Sequence, residues 1–135
     1  MRPILTAAAL ALALAHTAPA AALTPLHQDR TVAAMFYSLG LADEVRKNCP
    51  SISPRMIRAY NYLKSIEAYA RKAGYSEDQI RDLAENKVEK EKLRTIIRAD
   101  LAKRGAAPGM PEGFCNVGLE EIASNSASGR LLRAN

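Results

Sequence analysis

SPRMIRAYNYLKSIEAYARKAG, residues 53–74, is the stretch that decides the fold. Ser53 is a good N-cap residue and Pro54 suits a first helical position. Gly74 suits the residue just past a helix end. Between them, Met56, Tyr60, Leu63 and Ala70 form one apolar stripe at helical spacing. Ala59, Tyr62, Ile66, Tyr69 and Ala73 form a second stripe beside it. Together they span roughly half the circumference, wider than the ~100° face of an ordinary surface helix. The pattern predicts a central helix packed against two neighbours.

Helices extend outward from it on both sides. Upstream, Asp29 to Asn48 sets Val32, Met35, Phe36 and Leu39 on one face with Ala42 alongside, and stops before Cys49-Pro50, because proline disfavours helix in the residue preceding it. Downstream, Ser76-Glu77-Asp78-Gln79 carries a capping box. Ile80, Leu83 and Ala84 point one way, while Leu93, Ile96, Ile97 and Leu101 point another. At about 100° per residue the two stripes are displaced by roughly 110°. A break is therefore expected between Glu85 and Lys90, unless each half of one helix meets a different partner.

Gly105 closes the next helix, and residues 105–113, with three glycines and two prolines, read as a loop. A last helix is expected from Phe114 to Ala123, carrying Cys115, Leu119 and Ile122. Residues 124–135 read as a tail of uncertain order. No segment alternates with period two, so a sheet is not expected. The fold class is all-α: a small bundle of four to five helices in one domain, residues 23–135.

The first residues carry an address. Met1-Arg2 is a positive start, Ile4 to Ala15 an uncharged apolar run, and Ala20-Ala21-Ala22 a small-residue end. This is the three-part pattern of a secretory signal. It places cleavage between Ala22 and Leu23; a cut after Ala20 also satisfies the small-residue rule. The apolar run is too short to span a bilayer, which needs ~20 residues. The protein is therefore expected in the periplasm, or secreted, with no membrane span.

Export gives the two cysteines meaning. Cys49 and Cys115 are an even number in an oxidising compartment. A bond closing so long a loop stabilises by ~4 kcal/mol on the chain-entropy model. Redox or haem chemistry needs the cysteines close together, as C-x-x-C, and they are not. Two free thiols or an intermolecular bridge stay open beside one long-range disulfide.

The chemistry inventory is sparse. Nucleophile elbow, zincin and phosphate-loop motifs are missing. His16 falls in the signal, leaving His27 as the one histidine after it. No cofactor and no metal site is expected, and an enzyme is not. Glu67, spaced between Leu63 and Ala70, is the one acid placed on an apolar face. Buried in a cleft it would serve a small hydrolase; paired with an arginine it would be structural. Tyr62 and Tyr69 are candidates for a partner surface as well as for the core. Leu131 and Leu132, in the tail, are candidates too. The formal charge of +5 is spread among acids, which argues against nucleic acid and allows weak attraction to anionic surfaces.

The segment Arg46-Lys47-Asn48-Cys49-Pro50-Ser51-Ile52-Ser53-Pro54-Arg55-Met56 resembles a family of small exported two-cysteine helical proteins of Gram-negative bacteria. That family is catalogued only as a domain of unknown function. Gly74-Tyr75-Ser76-Glu77-Asp78-Gln79-Ile80, and Phe114-Cys115 through Glu121-Ile122 to Gly129-Arg130-Leu131-Leu132-Arg133, extend the resemblance over most of the chain. It implies a helical exported protein, brings no activity, and suggests that the tail motif is more than a frayed end. A looser resemblance, in architecture alone, is to periplasmic acid-stress chaperones. The expected function is a non-enzymatic interaction or accessory protein serving an envelope partner, with an acid-activated chaperone as the alternative.

N-terminal sequencing or intact-mass analysis of the exported protein tests the address. The expected first residue is Leu23; a chain that keeps Met1 to Ala22 after export overturns the reading.

Overall fold

The computed structural model describes residues 22–135. The expected export signal lies outside the described residues except for Ala22. Five helices form the body: α1 (Arg30–Asn48), α2 (Met56–Lys72), α3 (Glu77–Glu85), α4 (Lys87–Lys103) and α5 (Pro111–Ala123). Two short strands, β1 (Ile52–Pro54) and β2 (Leu132–Ala134), and 3-10 turns at Leu26–Gln28 and Gly129–Leu131 complete it.

Helix α1 is the hub, contacting α2, α4, α5 and β1. Its buried residues, Val32, Leu41, Ala42, Glu44 and Val45, lie all around its circumference. A helix that packs on several faces is not marked out by one wide stripe, so the sequence pattern points to α2 instead. That expectation is corrected here. Only Ile66 and Ala70 of α2 are fully buried, and Met56, Ile57 and Tyr60 at its start are exposed. Asp29 starts α1, its Oδ1 accepting from the amides of Thr31 (2.9 Å) and Val32 (3.0 Å).

The core has two clusters strung along α1. One gathers Leu41, Val45 and Ile52 with Ile97, Leu101, Val117 and Leu132. The other gathers Leu26, Val32, Ile66, Ala70 and Tyr75. Tyr62 packs against both. Gly118 sets the α1–α5 approach, since a Cβ there would overlap Ile52 Cδ1 and Val45 Cγ1.

Helix ends follow local chemistry. At Gly74 (φ +99°) α2 stops in a Schellman motif, the Gly74 amide donating to Arg71 and the Tyr75 amide to Ala70, both at 3.0 Å. Gly105 repeats the arrangement after α4. The capping box at Ser76 and Gln79 is formed in both directions. The expected break falls at Asn86, which ends α3 and caps α4 through a 3.0 Å bond from the Glu89 amide.

Other expectations are corrected. Ser53-Pro54 does not start a helix. It belongs to β1, which pairs antiparallel with β2 in the register Ile52 with Ala134, Ser53 with Arg133 and Pro54 with Leu132. Ser53 Oγ bonds the Asn135 side chain (2.6 Å), and α2 begins only after Arg55. The tail is therefore a strand fixed by pairing with a segment some 80 residues earlier, a contact that local pattern does not encode. Helix α5 starts at Pro111, within the stretch read as loop, with proline in its first turn. Its buried residues are Phe114, Val117 and Gly118, while Leu119 is exposed.

The cysteines close one disulfide, Cys49 to Cys115, with Cα atoms 5.0 Å apart. It ties the end of α1 to the first turns of α5. Arg104 adds polar ties between α4 and α5 through Glu121 (2.7 Å) and Glu120 (2.9 Å).

Two measurements check this packing. Cys49→Ser with Cys115→Ser is expected to cost about 2–4 kcal/mol in denaturant unfolding. Gly118→Val is expected to cost about 1–3 kcal/mol by overpacking. An unchanged unfolding midpoint in either would contradict it.

Candidate functional site

Between α2 and the α3–α4 arm lies an apolar groove of about 710 Å³ with α1 as its floor. Phe36, Leu39 and Gly40 of α1 form the floor, and Met56, Ala59 and Leu63 one wall. Leu93, Ile96 and Ile97 of α4 form the other. It is open to solvent along its length, and Met56 and Ile96 on its walls are exposed (67% and 55%). Three features accompany the groove. The Asn86 break turns α4 away from the line of α3. Gly40 lets α4 cross α1, a Cβ there meeting Ile97 Cδ1. Tyr37 Oη donates to Asp100 Oδ2 (3.0 Å) beside the crossing.

Part of the groove's charge gathers where α1 ends, and Glu89, Lys90 and Lys92 of α4 line it too. Glu44 is buried (5% exposed) and accepts from Arg98 Nε (3.1 Å), with Arg94 Nε 3.8 Å away. This acid was missed in the sequence, although its place beside Leu41 and Val45 on α1 was the signal. Asp43, on the groove, pairs with Arg46 and Lys47. Burial pushes its carboxyl up, but the Lys47 hydrogen bond and the Arg46 charge outweigh that and hold it below the usual carboxylate range.

The site residues expected from sequence fare differently. Leu131 and Leu132 are 4% and 1% exposed and pack into the core at one end of the groove. β1 pairing draws them inward, where they line that end of the groove. Tyr62 and Tyr69 are half-buried and are not part of the groove lining. Tyr62 packs against both core clusters, and Tyr69 Oη lies 3.5 Å from Asp29 Oδ2. Glu67 also lies outside the groove lining, paired with Lys64 (2.9 Å) and Arg71 (3.7 Å). His27 is exposed and reaches the groove edge. Among the described residues, no three His, Cys, Asp or Glu side chains are grouped to hold a metal ion. No described helix is long and apolar enough to cross a membrane.

The chain matches DUF5333, described as a family of unknown function, over residues 24–133. No curated protein and no solved structure matches it.

The carboxylates give a pH prediction with a definite sign. Asp43, and on the surface Glu77 (held by Arg71) and Glu89 (held by Lys92), have lowered pKa values in the folded state. Their contribution to stability is complete above the ordinary values of 3.8 and 4.5 and is lost as pH falls through the lower folded values. The melting temperature is expected to be insensitive to these groups near neutrality and to fall in the acid range below those values. Asp43→Asn should flatten part of that fall; an identical acid profile would refute the assignment.

Proposed function

The chain belongs to DUF5333, a family of unknown function, and from that premise we propose that it is an exported, non-enzymatic binding protein of the periplasm. Its working surface is the groove between α2 and the α3–α4 arm, where it holds an apolar guest as an accessory component of the envelope. The observation that carries this reading is an open apolar groove of about 710 Å³ on a disulfide-closed core. That volume lies within the ~300–1,000 Å³ of ligand sites, which are mostly apolar with a few polar groups. Export is supported by the signal-like first 22 residues and by the disulfide, a bond favoured in oxidising compartments. The enzyme reading depended on Glu67 in a cleft, and Glu67 lies outside the groove lining.

A second reading, an acid-activated chaperone, draws on the ion pairs. Glu44 joins α1 to α4 through Arg98. The disulfide holds α1 to α5 at any acidity. In this reading low pH widens the groove and exposes apolar surface. Dye binding and client-aggregation assays down to about pH 2.5 test it; a compact, inert protein there removes it.

The main reading is tested by a photo-crosslinking residue placed at Ala59 or Ile96 in the exported protein. Ile57, 79% exposed and not part of the groove lining, serves as control. Reproducible adducts at the groove positions and none at Ile57 are expected. Equal labelling at all three, or none, would refute the groove as the working surface.

A further inference from the structure

We propose that the start of α2 and the chain around β2 form a docking surface for an acidic polypeptide segment, read by Arg55, Arg58, Arg130 and Arg133. These four residues lie outside the groove lining, and the inference stands whether or not the groove holds a guest.

The sequence supplies the charge. Residues 45–66 contain five basic residues and no aspartate or glutamate. Residues 122–135 contain two arginines and again neither acid. Strand pairing brings these two segments together. Ser53 lies opposite Arg133 and Pro54 opposite Leu132, and the Arg55 amide donates to the Leu131 carbonyl (2.7 Å). Arg55, Arg58, Arg130 and Arg133 are all exposed. None of them pairs with a carboxylate among the described residues, whereas Arg46, Arg71, Arg81, Arg94, Arg98 and Arg104 each do. Gly129, in the turn that carries Arg130, packs on the Glu121 backbone. The Glu121 carboxylate is itself taken by Arg104 (2.7 Å) and Ser126. Four like charges therefore share one patch with no aspartate or glutamate paired to them. Such a patch is complementary to an anionic partner.

Geometry favours a polypeptide as that partner. Main-chain carbonyls hold three of the guanidinium groups in place. Arg55 Nε donates to Leu132 (2.9 Å), Arg58 Nη1 to Arg130 (3.3 Å) and Arg130 Nη1 to Asn125 (2.8 Å). A guanidinium has five N–H donors, and a carbonyl carries no net charge. Each group therefore keeps its charge and most of its donors for a ligand. Planar forks already in place suit carboxylates at fixed separations, since paired N–H···O bonds form with little further ordering of the side chain. The charges sit on two elements, so the matching partner carries several carboxylates along its length. A bilayer presents anionic headgroups at no fixed separation and gains nothing from such placement. Arginine clusters reading acidic motifs are a recurrent mode of peptide recognition. Ile57 lies roughly 100° round α2 from Arg58 and is not part of the patch.

The experiment uses the purified exported chain with its disulfide intact, in about 0.15 M salt, where charges act over only about 8 Å. The probes are a decamer of glutamate, the matching decamer of glutamine, and phosphatidylcholine vesicles with and without phosphatidylglycerol. Calorimetry reads the peptides and sedimentation the vesicles. One equivalent of the glutamate peptide is expected to bind saturably, and the glutamine peptide at least about tenfold more weakly. Arg130→Gln with Arg133→Gln should weaken the glutamate peptide at least about tenfold. Arg81→Gln with Lys103→Gln removes the same net charge from paired surface sites on α3 and α4 and should change binding less than about twofold. Circular dichroism confirms the fold of each variant. Arg133 is exposed and its side chain has no hydrogen-bonding partner among the described residues, so Arg133→Gln alone should keep the fold and still weaken binding about threefold. Equal binding of the two peptides, or equal weakening by the two double variants, would overturn the proposal. So would failure of the glutamate peptide to bind; binding of the phosphatidylglycerol vesicles in its place would assign the patch to a membrane surface.

Discussion

The close approach of α5 to α1 at Gly118 is the constraint on which the rest depends. Without a side chain there, Val45 of α1 and Ile52 of β1 pack directly against the α5 backbone. In the same corner Cys115 lies beside Cys49, and the disulfide closes there. The close approach also fixes β1 where β2 can pair with it, so Leu131 and Leu132 complete the core from the far end of the chain. The disulfide locks this corner but does not create it: Val45, Val117 and Leu132 are almost fully buried in their own right.

With one side of α1 committed to α5 and the strands, α2 and α4 occupy the remainder. Helix α2 lies along α1 through Ile66 and Val32. Helix α4 meets α1 at Gly40 and packs through Ile97 and Leu101. Two helices resting on a third in different ways cannot also close on each other along their whole length. The space left is the groove. Its apolar lining is surface that the fold itself does not cover, and exposed apolar patches on a small protein mark sites of interaction.

Much of the local structure was legible in the sequence. The Asp29 start, the Gly74 and Gly105 stops, the Ser76 capping box and the break near Asn86 are set by a few neighbouring residues, and each forms as expected. Two cysteines in an exported chain allowed one disulfide, and the fold brings Cys49 and Cys115 together to form it. The site was less legible. Ala59, Leu63, Leu93 and Ile96 were readable as apolar positions, but which of them the fold would leave uncovered depends on the angle at which α4 crosses α1. Glu67 and Glu44 show the same difficulty. Both are acids among apolar residues on a helix, yet Glu67 stays partly exposed while α4 covers Glu44.

The sequence alone determined that the chain is helical, where most helices begin and end, and that two cysteines were available to join. Those are properties of short segments, decided by capping side chains, glycine conformation and apolar spacing within a few turns. Tertiary structure decided which helix is the hub, that the tail is a paired strand, and where the groove opens. Each of those depends on surfaces meeting across long stretches of chain. Gly118 against Val45, Gly40 against Ile97 and Pro54 opposite Leu132 are matches of shape between distant partners, and no local pattern carries them.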